Sequence, residues 1–150
     1  ILKIVDNYHV IRIPPKTIDR YVFEHNLNHL EARKMAQVIT RLNPELSYVD
    51  SCDVNASRFG REISDLSGKS KVKSYHYADS RFVVVSAASI IAKVSRDRFI
   101  AKLSKNFKKY SWHKNFGYGT KDHIQAIKKF GITKHHRKTF IPVHNMLSLR

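Results

Sequence analysis

One pattern restricts the folds open to this chain more than any other. A short strand-like run, LSYVD (46–50), is followed by a helical period from Asn55 to Leu66, and then by a second strand-like run, KVKSYHYA (71–78). Strands that alternate with helices argue for an α/β domain with at least some parallel pairing. Each run leads to an aspartate: Asp50 ends the first and Asp79 follows the second. If the two strands are neighbours, both carboxylates meet at one edge of the sheet, where α/β proteins gather their functional groups.

The remaining segments fit around that unit. YHVIRI (8–13) reads as an early strand stopped by Pro14 and Pro15. Asn28 with Glu31 has the spacing of a helix cap and its reciprocal partner, ahead of Leu30, Met35, Val38, Ile39 and Leu42 at helical intervals. Asn43-Pro44 stops that helix, and Asn55 caps the next, which carries Phe59, Ile63 and Leu66 on one face before Gly68. FVVV (82–85) leads into the longest helical stretch, 86–110, with Ile91, Phe99, Leu103 and Phe107 as its expected buried stripe. A glycine-bearing loop, NFGYGT (115–120), precedes a helix capped by Thr120, carrying Ile124 and Ile127 and ended by Gly131. The basic stretch KHHRKTF (134–140) follows. Without repeats or a linker, residues 1–150 read as a single domain.

Charge narrows the function. Lys and Arg number 28 against 12 Asp and Glu, a net charge of +16. Solubility of a small domain asks for only about 2 to 8 charges, so the excess points to a polyanion, with nucleic acid the default partner. The basic residues are spread along the chain and do not line one amphipathic helix, which argues against a membrane surface. No apolar run approaches the roughly 18 residues of a membrane span, and no signal peptide is visible. A single cysteine, Cys52, excludes an internal disulfide framework and fits a reducing, cytoplasmic setting. The start at Ile1 reads as that of a fragment.

Paired carboxylates in a basic protein would repel a polyanion unless a cation lies between them. Asp50 and Asp79 therefore read as ligands for Mg²⁺ or Mn²⁺, which take hard oxygen donors. The alternative is that each only closes a turn. Asp53 reads as a turn or helix-opening residue, and Cys52 as a small buried hydrophobe. The nine histidines lack a zinc-type spacing with cysteine, and His135-His136 reads as a phosphate-facing surface. Ser86 to Ser89 either pack closely as they open their helix or offer amides to a phosphate. Tyr118, between two glycines, either stacks on a sugar or base or folds back over the core.

Taken together, these motifs resemble a known family. FVVVSAASIIAKVSRDR (82–98) resembles the strand-to-helix signature of type 2 ribonuclease H, ribonuclease HII. YVDSCDVN (48–55) is similar to the Asp-bearing segment of its archaeal-type members, and YHYAD (75–79) to its His-x-Ala-Asp pattern. GYGTKDHIQAIKKFGITKHHRKTF (117–140) looks like its tyrosine loop and the segment after it, and the IPP of 13–15 also has a counterpart.

The resemblance implies a ribonuclease H-like fold, a mixed sheet flanked by helices with a C-terminal helical segment. It implies an endonuclease that cuts the RNA strand of RNA–DNA hybrids, and cuts 5′ of ribonucleotides embedded in duplex DNA, leaving a 5′-phosphate. Its chemistry uses two Mg²⁺ or Mn²⁺ ions held by four acids. Carried over by motif, Asp50 and Asp79 are metal-binding catalytic residues and Tyr118 binds substrate by stacking on the sugar after the ribonucleotide. The family's first strands, with an Asp-Glu-Ala-Gly-Arg-Gly motif that supplies the other two acids, have no counterpart here. The chain is therefore expected to be inactive or nearly so alone, and monomeric. Two other readings stay open: a basic nucleic-acid-binding module of the same fold without catalysis, and a structural RNA-binding protein.

Overall fold

A computed structural model describes residues 1–148 of the chain. The backbone forms two compact units: Ile1–Arg12 with Asn26–Ala92, and Ile13–His25 with Lys93 onward.

The first unit holds the strand–helix–strand pattern. Strand β1 (Ser47–Asp50) pairs in parallel with β2 (Val72–Tyr75), with Asp50 opposite Tyr75. The expected parallel neighbours are thus present, in a sheet of two strands among the described residues. Helix α1 (Pro15–Phe23) belongs to the second unit. Helices α2 (Leu27–Leu42) and α3 (Ala56–Leu66) pack together in the first, and α3 also packs on β2. Asn55 caps α3 as expected, its side chain accepting the Arg58 N–H at 2.9 Å. Just past the helix Gly68 adopts φ +77°, a left-handed turn that suits glycine.

Phe59 and Ile63 of α3 are fully buried against Val49 of β1 and against Ala32, Ala36 and Ile39 of α2. The two alanines let the helix backbones approach. Burying Phe59 and Ile63 contributes roughly 1.5–3 kcal/mol each. Leu66, expected on the same face, is 43% exposed at the end of α3.

Several expectations about elements change. Residues 8–13 do not form a strand, because no ladder partner exists for them among the described residues. Pro14 and Pro15 begin α1, Pro15 sitting where a helix needs no N–H donor. Asn28 lies inside α2 rather than capping it, and its amide donates to Asp53 at 3.3 Å. The second strand stops at Tyr75, because Tyr77 turns left-handed (φ 55°) and starts helix α4 (Ala78–Arg81).

FVVV does not precede the long helix as a separate run. Helix α5 (Val83–Ser104) takes in all three valines. Of the three only Val85 is buried. Val83, Val84, Ile90 and Val94 stay exposed and Ile91 is half-buried. Of the expected stripe, Leu103 and Phe107 pack on the core of the second unit, whereas Phe99 is exposed.

That second core consists of Tyr110, Trp112, Ala126, Ile127 and Val143. They come from a 3₁₀ turn (Lys108–Tyr110), α6 (Trp112–Asn115), α7 (Lys121–Phe130) and α8 (Ile141–Ser148). Thr120 caps α7 and Gly131 (φ +78°) closes it, as expected. Asp19 of α1 ties in the C-terminal segment, accepting Lys138 N–H at 2.9 Å, Thr139 N–H at 3.0 Å and the Thr139 hydroxyl at 2.7 Å. Burial raises the Asp19 carboxyl, but these donors and Arg137 outweigh it and hold the group below its usual range.

Candidate functional site

Asp50 closes β1 with its side chain exposed, and its Oδ1 accepts the backbone N–H of Ala78 at 2.9 Å. Asp79 is the next residue, in the first turn of α4 and also exposed. The two acids are therefore connected through one peptide, at the carboxyl end of the sheet. An aromatic cluster backs them: Phe82 lies 4.5 Å from Tyr48 and 5.2 Å from Tyr75, ring centre to ring centre. Arg81 covers the Tyr75 ring at 4.7 Å. Two exposed carboxylates are hard oxygen donors of the kind Mg²⁺ and Mn²⁺ take, and such ions keep several waters. The donor chemistry fits. Among the described residues no group of three or more His, Cys, Asp or Glu side chains is placed to hold a metal ion, there or elsewhere.

The turn after β1 faces the other way. Asp53 is 7% exposed. It accepts from Asn55 N–H at 2.8 Å, Arg58 Nη2 at 2.5 Å and Asn28 Nδ2 at 3.3 Å. The Asn55 N–H, then Arg58, hold its carboxyl below its ordinary range despite burial. It is a turn residue, as its position implied. Cys52, expected to be buried, is exposed, because the turn that brings Asp53 inward directs Cys52 out. Its sulfur is still partly screened from water. That screening, with the Glu31 carboxylate accepting from the thiol, pushes its pKa up to about 12.

Ser86 to Ser89 do not open their helix. They lie inside α5, and the Ser86 N–H already donates to Phe82 O at 3.1 Å, so that amide is not available to a phosphate.

In the second unit Tyr118 is half exposed rather than folded over the core. Phe116 (φ 48°) and Gly117 (φ +77°) are both left-handed, which folds the loop tightly enough to present the ring. Asn115 holds this shape: its Oδ1 accepts Gly117 N–H and its Nδ2 donates to Tyr110 O, both at 2.8 Å. The Arg96 guanidinium lies 4.8 Å from the Tyr118 ring centre and donates to Phe116 O at 3.1 Å. Asp97 accepts from Lys93 at 2.8 Å and from Arg96 at 3.2 Å; the Lys93 bond comes first among the causes that lower its pKa. Sequence reasoning missed Arg96. The only available signal was the Lys93–Asp97 pair at i,i+4 beside it.

His135-His136 is not a phosphate-facing surface. His136 is buried, and burial together with the neighbouring His123 takes it down to about 4, so it is neutral at pH 7. His135 is half-buried against Phe107 and Trp112, and burial followed by Lys134 lowers it also.

The chain is 58% identical over 106 residues to a ribonuclease HII of Cenarchaeum symbiosum, covering 71% of this chain and 51% of that protein. It is 47% identical over 118 residues to a ribonuclease HII of Pelagibacter ubique, covering 79% and 58%. A chain in the solved complex of PCNA with RNase HII from Archaeoglobus fulgidus superposes with a TM-score of 0.78 at 30% identity, over 88% of this chain and 65% of that one. The chain thus spans about half to two thirds of the length of these relatives. The shared fold is a mixed α/β arrangement, a small parallel sheet flanked by helices. With the ribonuclease HII family model matching residues 6–143 as well, the chain belongs to the ribonuclease HII family.

Proposed function

We propose that this chain carries part of the active site of a metal-dependent endoribonuclease. Its substrates are RNA–DNA hybrids and duplex DNA with embedded ribonucleotides, cut to leave a 5′-phosphate, in the cytoplasm. Asp50 and Asp79 are its metal-binding catalytic residues and Tyr118 its substrate-binding residue. The observation that carries the reading is the 2.9 Å bond from Ala78 N–H to Asp50, which links two exposed acids at one sheet end in a chain of net charge +16.

Asp50 and Asp79 would hold Mg²⁺ or Mn²⁺, and a pair of such ions activates water and steadies the departing oxygen of a phosphodiester. The carboxylates do no acid–base work in this scheme. Asp50 spends one oxygen on Ala78, which fixes its orientation and leaves the other for a cation. The basic surface attracts the duplex and offsets the repulsion between its phosphates and the acids. The half-exposed Tyr118 ring, steadied by Arg96, offers a flat face for a sugar. With two acids of its own at the site, the chain alone is expected to cleave slowly or not at all.

A binding module without catalysis is the second reading, favoured by the charge. Binding and cleavage of a fluorescent DNA duplex containing one ribonucleotide separate the two. The nuclease reading expects tighter binding to that duplex than to its all-DNA twin, with Mn²⁺ strengthening the preference. It further expects Tyr118→Ala to lose the preference and Tyr118→Phe to keep it. Equal binding to both duplexes, indifferent to Mn²⁺, supports the module and sinks the nuclease. Strong cleavage by this chain, lost in Asp79→Asn, overturns the expected inactivity.

A further inference from the structure

Behind Tyr118 lies a hydrogen-bond chain whose direction is fixed at every link. Thr133 N–H, which can only donate, reaches Nδ1 of His136 at 2.9 Å. His136 Nδ1 is therefore unprotonated, and the ring's one proton is on Nε2. That atom faces Nε2 of His123 at 3.2 Å. His123 Nε2 also meets Trp112 Nε1–H at 3.0 Å, and an indole N–H can only donate. His123 Nε2 is thus an acceptor shared by Trp112 and His136. The remaining His123 proton is on Nδ1, 2.9 Å from the carbonyl oxygen of Tyr118. The same carbonyl accepts Thr120 N–H at 2.8 Å.

We propose that His123 and His136 are positioning residues for Tyr118, a neutral pair of fixed tautomers that orients the Tyr118 peptide and with it the ring that meets nucleic acid. The inference rests on the substrate-binding role of Tyr118 given above. Both histidines are buried, so the bonds are shielded from competing water. The His136 ring packs on Tyr110 at 5.3 Å, Trp112 at 5.4 Å and His123 at 5.3 Å. The Tyr110 hydroxyl is engaged with Gly131 O at 2.9 Å. The charged or titratable neighbours in sequence are Lys121 and Asp122 for His123, and Lys134, His135 and Arg137 for His136; no carboxylate hydrogen-bonds to either ring among the described residues. Burial, then the neighbouring His123, outweighs the one cause that raises His136, its backbone contact with Thr133, and takes its pKa well down. A second proton on His136 Nδ1 would oppose Thr133 N–H, and one on His123 Nε2 would oppose the indole. Either breaks the chain that ends on Tyr118.

Two measurements test this. Long-range ¹H–¹⁵N correlation spectra of the whole chain at pH 7 should place protons on His123 Nδ1 and His136 Nε2, with His136 still neutral at pH 6. The opposite tautomer on either ring, or a charged His136 at pH 6, overturns the proposal whether or not any variant folds. The second compares His123→Ala with His123→Asn, whose amide nitrogen takes the place of Nδ1. His123→Ala should move the Tyr118–Thr120 amide resonances. It should also weaken binding of a fluorescein-labelled, ribonucleotide-containing duplex about fivefold, the equivalent of one hydrogen bond. His123→Asn should restore both. Equal amide shifts in the two variants, or none in either, overturn the proposal. A wild-type chain that does not prefer the ribonucleotide duplex, with tautomers and amide shifts as expected, sinks the role of Tyr118 and leaves the positioning intact.

Discussion

Asp50 accepts the backbone N–H of Ala78 across 28 residues of sequence, at the residue that begins the helix carrying Asp79. The acceptor is an oxygen that asparagine also offers. Asp50→Asn should therefore leave stability unchanged, whereas Asp50→Ala should cost at most about 1 kcal/mol in urea unfolding. Metal affinity should respond the other way. Mn²⁺-induced broadening of the amide signals around residues 50 and 79 should weaken about tenfold or more in either Asp50→Asn or Asp79→Asn, since each removes a full charge from the donor set. Unchanged broadening in both variants would remove the acids from the metal site.

Gly60 sits where α3 crosses β2, and a Cβ there would lie 2.9 Å from the Cβ of Ser74. Alanine ordinarily improves a helix interior by about 1 kcal/mol over glycine. Overpacking costs about 1–3 kcal/mol, so Gly60→Ala should destabilise on balance. Thermal melts in a Ser74→Gly background should recover the loss. Ser74 carries a second cost: its buried hydroxyl has no hydrogen-bond partner. Ser74→Ala keeps the Cβ and removes the hydroxyl, and should stabilise by about 1 kcal/mol. A less stable Ser74→Ala would mean that this hydroxyl is satisfied in solution.

The sequence was most legible where local chemistry decides the outcome. Asn55, Thr120 and Gly131 each mark a helix end through their own side chain or backbone freedom, and all three do so in the fold. The pairing of β1 with β2 followed from the order of elements and one apolar face. The failures share a cause, which is that the deciding partner is remote in sequence. YHVIRI has strand composition but no ladder to join. KVKSYHYA loses its last three residues because Tyr77 turns left-handed and α4 packs on β1. His136 looks basic beside Lys134 and Arg137, yet its surroundings are Tyr110, Trp112 and His123. Arg96 carries no mark of its role, since the ring it covers lies 22 residues away.

Acid should expose the turn after β1. The folded Asp53 carboxyl lies below its ordinary 3.8 because Asn55 N–H, Arg58 and Asn28 favour the ionised form. A depressed carboxyl contributes stability that is fully present above the unfolded value and is lost as pH falls through the folded one. Asp53→Asn keeps an acceptor for Asn55 N–H but gives up the charge opposite Arg58. Urea midpoints measured from pH 7 to pH 2 should fall more steeply below pH 4 in the wild type than in Asp53→Asn. Parallel curves would show that the Arg58 pairing is not kept in solution.

Cys52 should be exposed and yet slow to react. The nucleophile in thiol chemistry is the thiolate, and a pKa of about 12 leaves almost none of it at pH 8. The higher intrinsic nucleophilicity of a basic thiolate recovers only part of that deficit, because reactivity rises with less than the first power of basicity. Cys52 should therefore react with a disulfide reagent tens of fold more slowly than free glutathione at pH 8. Two of the causes of the raised pKa run through one neighbour: Glu31 accepts from the thiol and also repels the thiolate. Glu31→Gln removes the repulsion and leaves the partial screening in place, so its rate should rise toward that of glutathione without reaching it. Wild-type Cys52 reacting as fast as glutathione, or Glu31→Gln leaving the rate unchanged, would mean that the contact between Glu31 and Cys52 does not persist in solution.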